Sequence, residues 1–225
     1  MHDSDGTPVV RNRLLGGPLT RGDQGGGEEV GRAPPRSLRS LAVAASDSSL
    51  DANAALTALI GRQLPPELTL TPLVDGAAGQ SRPLMDWLTT FHLASVILDP
   101  YTNESSWILR AATRILEPFR GSDARINLVV TSGPKDAQAF LGPLAEQFLV
   151  FCDAERSLVK AMGLSELPAF AFIRVDGVVA ACAQGWNPHE WGAVADSIAE
   201  TTWWSSITVP GPNDPGAFRG SPALG

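Results

Sequence analysis

Cysteine is scarce in this chain: Cys152 and Cys182 are the only two among 225 residues. Two cysteines in a chain of this length exclude a disulfide framework. Histidine is scarce too. His2, His92 and His189 stand far apart, with no cysteine or carboxylate at ligand spacing, so the three or four convergent ligands of a zinc site are not expected. Lysine is nearly missing: Lys135 and Lys160 stand against fifteen arginines, and the formal net charge is −7. A chain of that charge has no electrostatic reason to seek nucleic acid or an anionic membrane surface. No stretch approaches the roughly 20 apolar residues of a membrane span. The arginine-bearing N-terminal region leads only to "LAVAA", too short for the apolar core of a secretory signal. Gly-x-Gly-x-x-Gly and P-loop patterns are missing, and the "GGGEE" cluster has no strand before it. The expectation is therefore no metal, no cofactor, no nucleic acid, no membrane, and a cytoplasmic location.

What is present supports one globular domain between two tails. Hydrophobic residues make up 44% of the chain and charged residues 18%. Residues 1–45 are rich in Gly, Pro and mixed charge without a sustained period, the composition of a flexible tail. Residues 204–225 carry Pro210, Pro212, Pro215 and Pro222 among glycines and read as a second tail lying on the domain surface. A leading helix is expected within 46–64, with Leu56, Leu59 and Ile60 at helical spacing and Gly61 as its stop. "LTLTPLVDGAAG" reads as an edge strand, because Pro72 removes a ladder donor. "LASVILD", "INLVVTS" and "FLVFC" read as buried strands. "SSWILRAATRILEPF" reads as an amphipathic helix with Ile108, Ala112, Ile115 and Leu116 facing inward. Gly133-Pro134 opens a further helix. Asp153 suits the N-cap of the next one and Gly163 its C-terminal stop. "AFAFIRV" and "VVAACA" flank Asp176-Gly177, a two-residue hairpin signal. Asn187, Pro188 and Glu190 open a last helix with a near-complete capping box. Alternating strands and helices followed by a hairpin give an α/β fold: a mixed sheet with helices on both faces.

The stretch "FCDAERSLVKAMGLSELPAFAFIRVDGVVAACAQGW" resembles the second half of a thioredoxin-fold redoxin, of the peroxiredoxin or thiol-disulfide reductase type. Asp follows a strand, a short helix ends in Gly, Leu167-Pro168 precedes a strand, and a Val-Asp-Gly-Val hairpin leads to Gly185 before the last helix. Upstream, "LPPELTLTPLVDGAAGQSRPLMDWL" is similar to the redoxin entry hairpin. The resemblance spans residues 65–203 and implies a three-layer α/β/α thioredoxin-like domain. It also implies that Pro168 is the cis-proline of that fold, and that the loop before the first core helix is where reactive thiols belong. Thioredoxins place Cys-x-x-Cys there and peroxiredoxins Thr-x-x-Cys. In this chain the four positions are Thr102-Asn103-Glu104-Ser105.

The exchange of sulfur for oxygen changes the chemistry. A helix N-terminus carries roughly +0.5 charge and free N–H groups, which lower a thiol from its ordinary pKa of ~8.5 into the working range. An alcohol starts too high for the same effect to ionise it, and no general base is evident nearby. Thr102 and Ser105 are therefore expected to cap the helix or to bind, with Glu104 as a partner of the helix dipole. By the same resemblance, strands 148–152 and 178–183 lie at opposite sheet edges about 19 Å apart, too far for a Cys152–Cys182 disulfide. Trp186 should lie beside Pro168 and, with Tyr101 and Trp107, line an aromatic groove. At least one of Trp203 and Trp204 should pack under the C-terminal tail. The expected function is a redox-inactive binding or scaffolding domain. A protein or peptide partner would dock beside Leu167-Pro168 by strand-like pairing, with Tyr101, Thr102, Asn103, Glu104, Ser105 and Trp186 around it. The alternative is a divergent thiol-dependent oxidoreductase or peroxidase using Cys152.

Overall fold

A computed structural model describes residues 59–225. The expected N-terminal tail and most of the leading helix lie outside these residues. Leu59 is helical and buried, and Gly61 (φ 83°) turns the chain.

The first strand, β1 (Thr69–Val74), folds back through β2 (Ala77–Ala78) and β3 (Arg82–Pro83) into a short helix, α1 (Leu84–Trp87). Then come β4 (His92–Leu98), α2 (Asn103–Leu116) and a 3₁₀ turn (Glu117–Phe119). β5 (Ala124–Val130), α3 (Pro134–Leu141), α4 (Leu144–Gln147), β6 (Leu149–Cys152) and α5 (Ser157–Met162) follow. The chain closes with β7 (Glu166–Leu167), β8 (Ala169–Ile173), β9 (Val179–Gln184), α6 (Pro188–Thr202) and β10 (Ser221–Pro222). The main sheet has the order β2-β1-β6-β5-β4-β8-β9, with β3 also on β1. β4, β5 and β6 run parallel; β8, β9 and β1 are antiparallel to their neighbours.

The central strands are buried on both faces, which is why they read as continuous apolar runs. On one face Ala94, Val96 and Leu98 of β4 meet Ile108, Ala112 and Ile115 of α2 and Trp191, Val194 and Ile198 of α6. On the other, Leu93 and Ile97 meet Leu84, Leu88, Leu158 and Met162. Three fully buried large side chains of α2 (Ile108, Ile115, Leu116) together contribute about 5–9 kcal/mol of gross apolar burial. α2 therefore docks rigidly, and its N-terminus is fixed at the carboxyl end of β4.

Three local expectations change. β1 is not an edge: it lies between β2/β3 and β6. Its ladder to β6 is only two residues long (Thr71↔Cys152, Pro72↔Phe151), as suits a strand whose Pro72 has no N–H. β6 is consequently interior as well. The β8–β9 connection is longer than two residues. Arg174 N–H donates to Val178 O, Gly177 N–H donates to Arg174 O, and Gly177 takes φ 78°, a three-residue loop with glycine at the left-handed position. The helix after Asp153 starts late, at Ser157, but Asp153 still holds its start: the carboxylate accepts the N–H groups of Ser157, Leu158 and Val159. Among the described residues no helix is long and apolar enough to cross a membrane.

Candidate functional site

β4 delivers Asp99 to the start of α2, and Asp99 organises that junction. Its carboxylate is buried. One oxygen accepts Tyr101 N–H at 3.0 Å and the other accepts the Arg156 guanidinium at 2.7 Å. Asp99 N–H donates to Ser105 Oγ at 2.9 Å, and Thr102 Oγ1 donates to Asp99 O at 3.0 Å while lying 3.1 Å from Ser105 Oγ. Thr102 occupies the N-cap position of α2, yet its side chain accepts no helix N–H. The expected capping by these hydroxyls is thus replaced by bonds that close the loop on itself, and Ser105 is fully buried. Neither hydroxyl has a hydrogen bond to a carboxylate, imidazole or sulfur among the described residues, so nothing there draws off a proton.

The Leu167–Pro168 peptide bond is cis, and Pro168 O accepts Gly185 N–H at 2.8 Å. The flank of this turn is covered by the chain's own C-terminal segment. Trp186 and Phe218 exchange both backbone hydrogen bonds at 2.9 Å. Ser221 and Pro222 pair antiparallel with Leu167 and Glu166. Ala223, fully buried, donates its N–H to Ser165 O, and its carbonyl accepts Arg156 at 2.5 Å. Glu166 accepts Arg219 Nε at 2.5 Å and Gly220 N–H at 3.1 Å. Ser221 Oγ donates to Glu104 at 2.7 Å, which holds the Glu104 carboxyl below its ordinary range. Upstream, Asp214 is clamped by Arg114 (2.5 and 3.1 Å) and Gly211 N–H, and Arg114 also reaches Thr208 O. Residues 208–223 form a strap from the side of α2 to the Pro168 turn.

Backbone pairing of this kind beside a cis-proline, at the end of a β4/β5/β6 parallel core capped by α2, invites comparison with solved folds. A structure named as a thiol:disulfide interchange protein DsbE from Chlorobium tepidum superposes with a TM-score of 0.52 at 14% identity, covering 64% of this chain and 97% of that one. The chain has the thioredoxin-like fold. A thioredoxin-named solution structure from Neisseria meningitidis agrees, with a TM-score of 0.50 at 15% identity over 63% of this chain and 90% of that one. No family model matches the sequence, and no curated protein matches it.

Within this thioredoxin-like domain, Glu104, Leu167 and Trp186 contact the strap directly and Pro168 lies in the adjoining turn, whereas Thr102 and Ser105 are tied to Asp99. Asn103 is exposed in the first turn of α2. Tyr101 points away: it is 68% exposed and donates to Asp136 at 2.6 Å, which raises its phenol above the usual range. Trp186 does not line an open aromatic groove. Only 1% exposed, it packs edge-on against Trp191, and its indole N–H donates to Pro215 O. Trp107 remains largely exposed and meets Phe218 edge-on. Neither Trp203, 94% exposed, nor Trp204, which donates to Pro118 O, packs beneath the strap.

Both cysteines are free. Four strand steps separate β6 from β9. Cys152 lines a cavity of about 260 Å³ with Thr69, Thr71, Pro134 and Asp153, and burial pushes its thiol up. Burial pushes Cys182 up to about 12. Both shifts run opposite to the lowering that activates a thiol. Asp99, Arg156, Arg114 and Asp214 gave no sequence signal of a role: their partners lie 57 and 100 residues away.

Proposed function

We propose that this thioredoxin-like chain is a redox-inactive binding domain whose groove beside Pro168 holds an extended peptide by strand pairing. The observation that carries the reading is the pairing of Leu167 and Glu166 with Ser221–Pro222: the backbone edge at this turn accepts an extended segment, and side chains on both flanks grip it. The Thr102–Ser105 loop supports the non-redox half. Its hydroxyls are tied to Asp99, and an alcohol gains no useful ionisation from a helix N-terminus. The raised thiols of Cys152 and Cys182 point the same way.

The test is turnover. Purified full chain, assayed for insulin-disulfide reduction with an external thiol and for peroxide consumption, is expected to match the reagent blank. Turnover that disappears in Cys152→Ser would replace this reading with a thiol enzyme.

A further inference from the structure

We propose that residues 218–223 are a displaceable ligand held in cis, which keeps the groove closed to other peptides and whose own sequence records what the groove accepts: an extended segment with glycine between a basic and a small hydroxyl residue. This rests on the peptide-groove reading above and adds its regulation and its selectivity.

The selectivity comes from contacts on the two sides of Gly220. A Cβ at that position would lie 2.7 Å from Leu167 O and 2.9 Å from the Glu166 Cβ, distances that real Cβ atoms do not adopt. The floor beneath it is also glycine. A Cβ on Gly185, which has φ 64°, would lie 2.8 Å from Gly220 N. Two backbones thus meet with no room for a side chain between them. On either side the groove offers acceptors. Glu166 takes the guanidinium of Arg219 and Glu104 takes the hydroxyl of Ser221. An acidic pair flanking a side-chain-free slot favours a basic residue before the glycine and a hydroxyl after it, and disfavours carboxylates at both places.

The closure is built to be reversible. The strap's ladder with β7 is two residues long, and half of the residues from 208 to 223 are exposed. When it leaves, the groups it covers at the rim (Glu166, Glu104, Arg156) become hydrated rather than stranded in the core. Arg156 keeps its hold on Asp99 in either state, so only its second arm, on the Ala223 carbonyl, is released. Trp186 is the exception: uncovered, it presents an apolar surface that an incoming segment would cover again. A short tether gives the strap an effective concentration in the millimolar range. For a seat whose intrinsic dissociation constant for the strap's own sequence is tens of micromolar, a competing free peptide is weakened about 10- to 100-fold while the strap is in place.

The experiment uses the full chain and a fluorescein-labelled peptide with the sequence of residues 215–225, titrated by fluorescence anisotropy. Gly220→Val in the protein evicts the strap through the side chain alone. Phe218→Ala, which trims only the strap, repeats the comparison if the valine variant does not fold. Amide hydrogen exchange at Trp186 and Ala223 reports whether the strap has left. Gly220→Val should expose both amides and bind the peptide about 10- to 100-fold more tightly than wild type. A peptide carrying valine in place of its own glycine should bind at least 10-fold more weakly than the parent. Equal affinity of wild type and variant, with the amides exposed, overturns the gating and leaves the groove intact. Equal affinity of the two peptides overturns the glycine filter. Amides that stay protected in both variants overturn the claim that the seat holds the strap. No binding to a variant with exposed amides removes the groove reading itself.

Discussion

Arg114→Ala should destabilise the fold more than Asp214→Ala, although both break the same ion pair. The side chains are unequally exposed, at 36% for Arg114 and 4% for Asp214. Without Arg114, the Asp214 carboxylate stays near its buried position with Gly211 N–H as its remaining partner and loses two charge-assisted bonds. At roughly 1.5 kcal/mol or more for each bond to a charged group, the cost is about 3 kcal/mol. Without Asp214, the guanidinium keeps the Thr208 carbonyl and turns its other donors to water, so the loss is about 1 kcal/mol. The ceiling on either value is the free energy that holds the strap closed, about 1.4–2.7 kcal/mol for a 10- to 100-fold closure, because beyond it the segment lifts off and hydrates, so Arg114→Ala should read near that ceiling. Urea unfolding of both single variants and the double variant, followed by far-UV circular dichroism, measures the difference, and the double variant should cost little more than Arg114→Ala. Equal costs, a reversed order, or two values under about 0.5 kcal/mol would refute the argument that the buried partner sets the penalty.

Ser105→Ala removes the acceptor of the buried Asp99 N–H and should cost about 1–3 kcal/mol by urea unfolding, whereas Ser106→Ala, on the exposed face, should cost a few tenths at most. Cys152 should resist maleimide at neutral pH and react only as pH rises above the ordinary thiol range, because burial raises its pKa. Cys182, pushed up to about 12, should label only on unfolding. His92 has its pKa lowered, first by burial. The unfolded chain therefore binds its proton more readily, and stability should fall as pH drops below the ordinary imidazole value of 6.5. The urea midpoints of wild type and His92→Gln, compared at pH 7.5 and 5.5 in a buffer series, should converge if the imidazole is the source; an unchanged slope in the variant would exclude it.

The sheet and its helices could be read from sequence because their signals are local. β4 is a continuous apolar run, Ile108, Ala112 and Ile115 repeat at helical spacing, and Asn187-Pro188 announces α6, with Asn187 accepting His189 N–H. The strand-to-helix junction before Asn103 is legible in the sequence, but its hydrogen bonds are not. Capping is the default for a hydroxyl at a helix start, and only the buried Asp99 backbone, brought in by tertiary packing, redirects Thr102 and Ser105 inward. The C-terminal segment carries the contacts least legible in the sequence. Its Pro and Gly content carries no periodicity, and the positions that matter answer to contacts far away in sequence: Gly220 to Leu167, and Pro215 O to Trp186. Arg156 was unreadable for the same reason. It sits at φ 55° just before α5 and joins Asp99 to Ala223, two partners that no spacing rule connects.

The indole rings of Trp186 and Trp191 stand 5.1 Å apart at 74°, close enough for their electronic transitions to couple. Such a pair gives a two-lobed ultraviolet dichroism signal whose amplitude follows the angle and spacing of the rings. The N–H of the Trp186 ring is bound to the Pro215 carbonyl of the strap, so a strap movement that turns the ring should change the signal. The molecule thus carries a built-in optical gauge that can be followed in real time and without a dye.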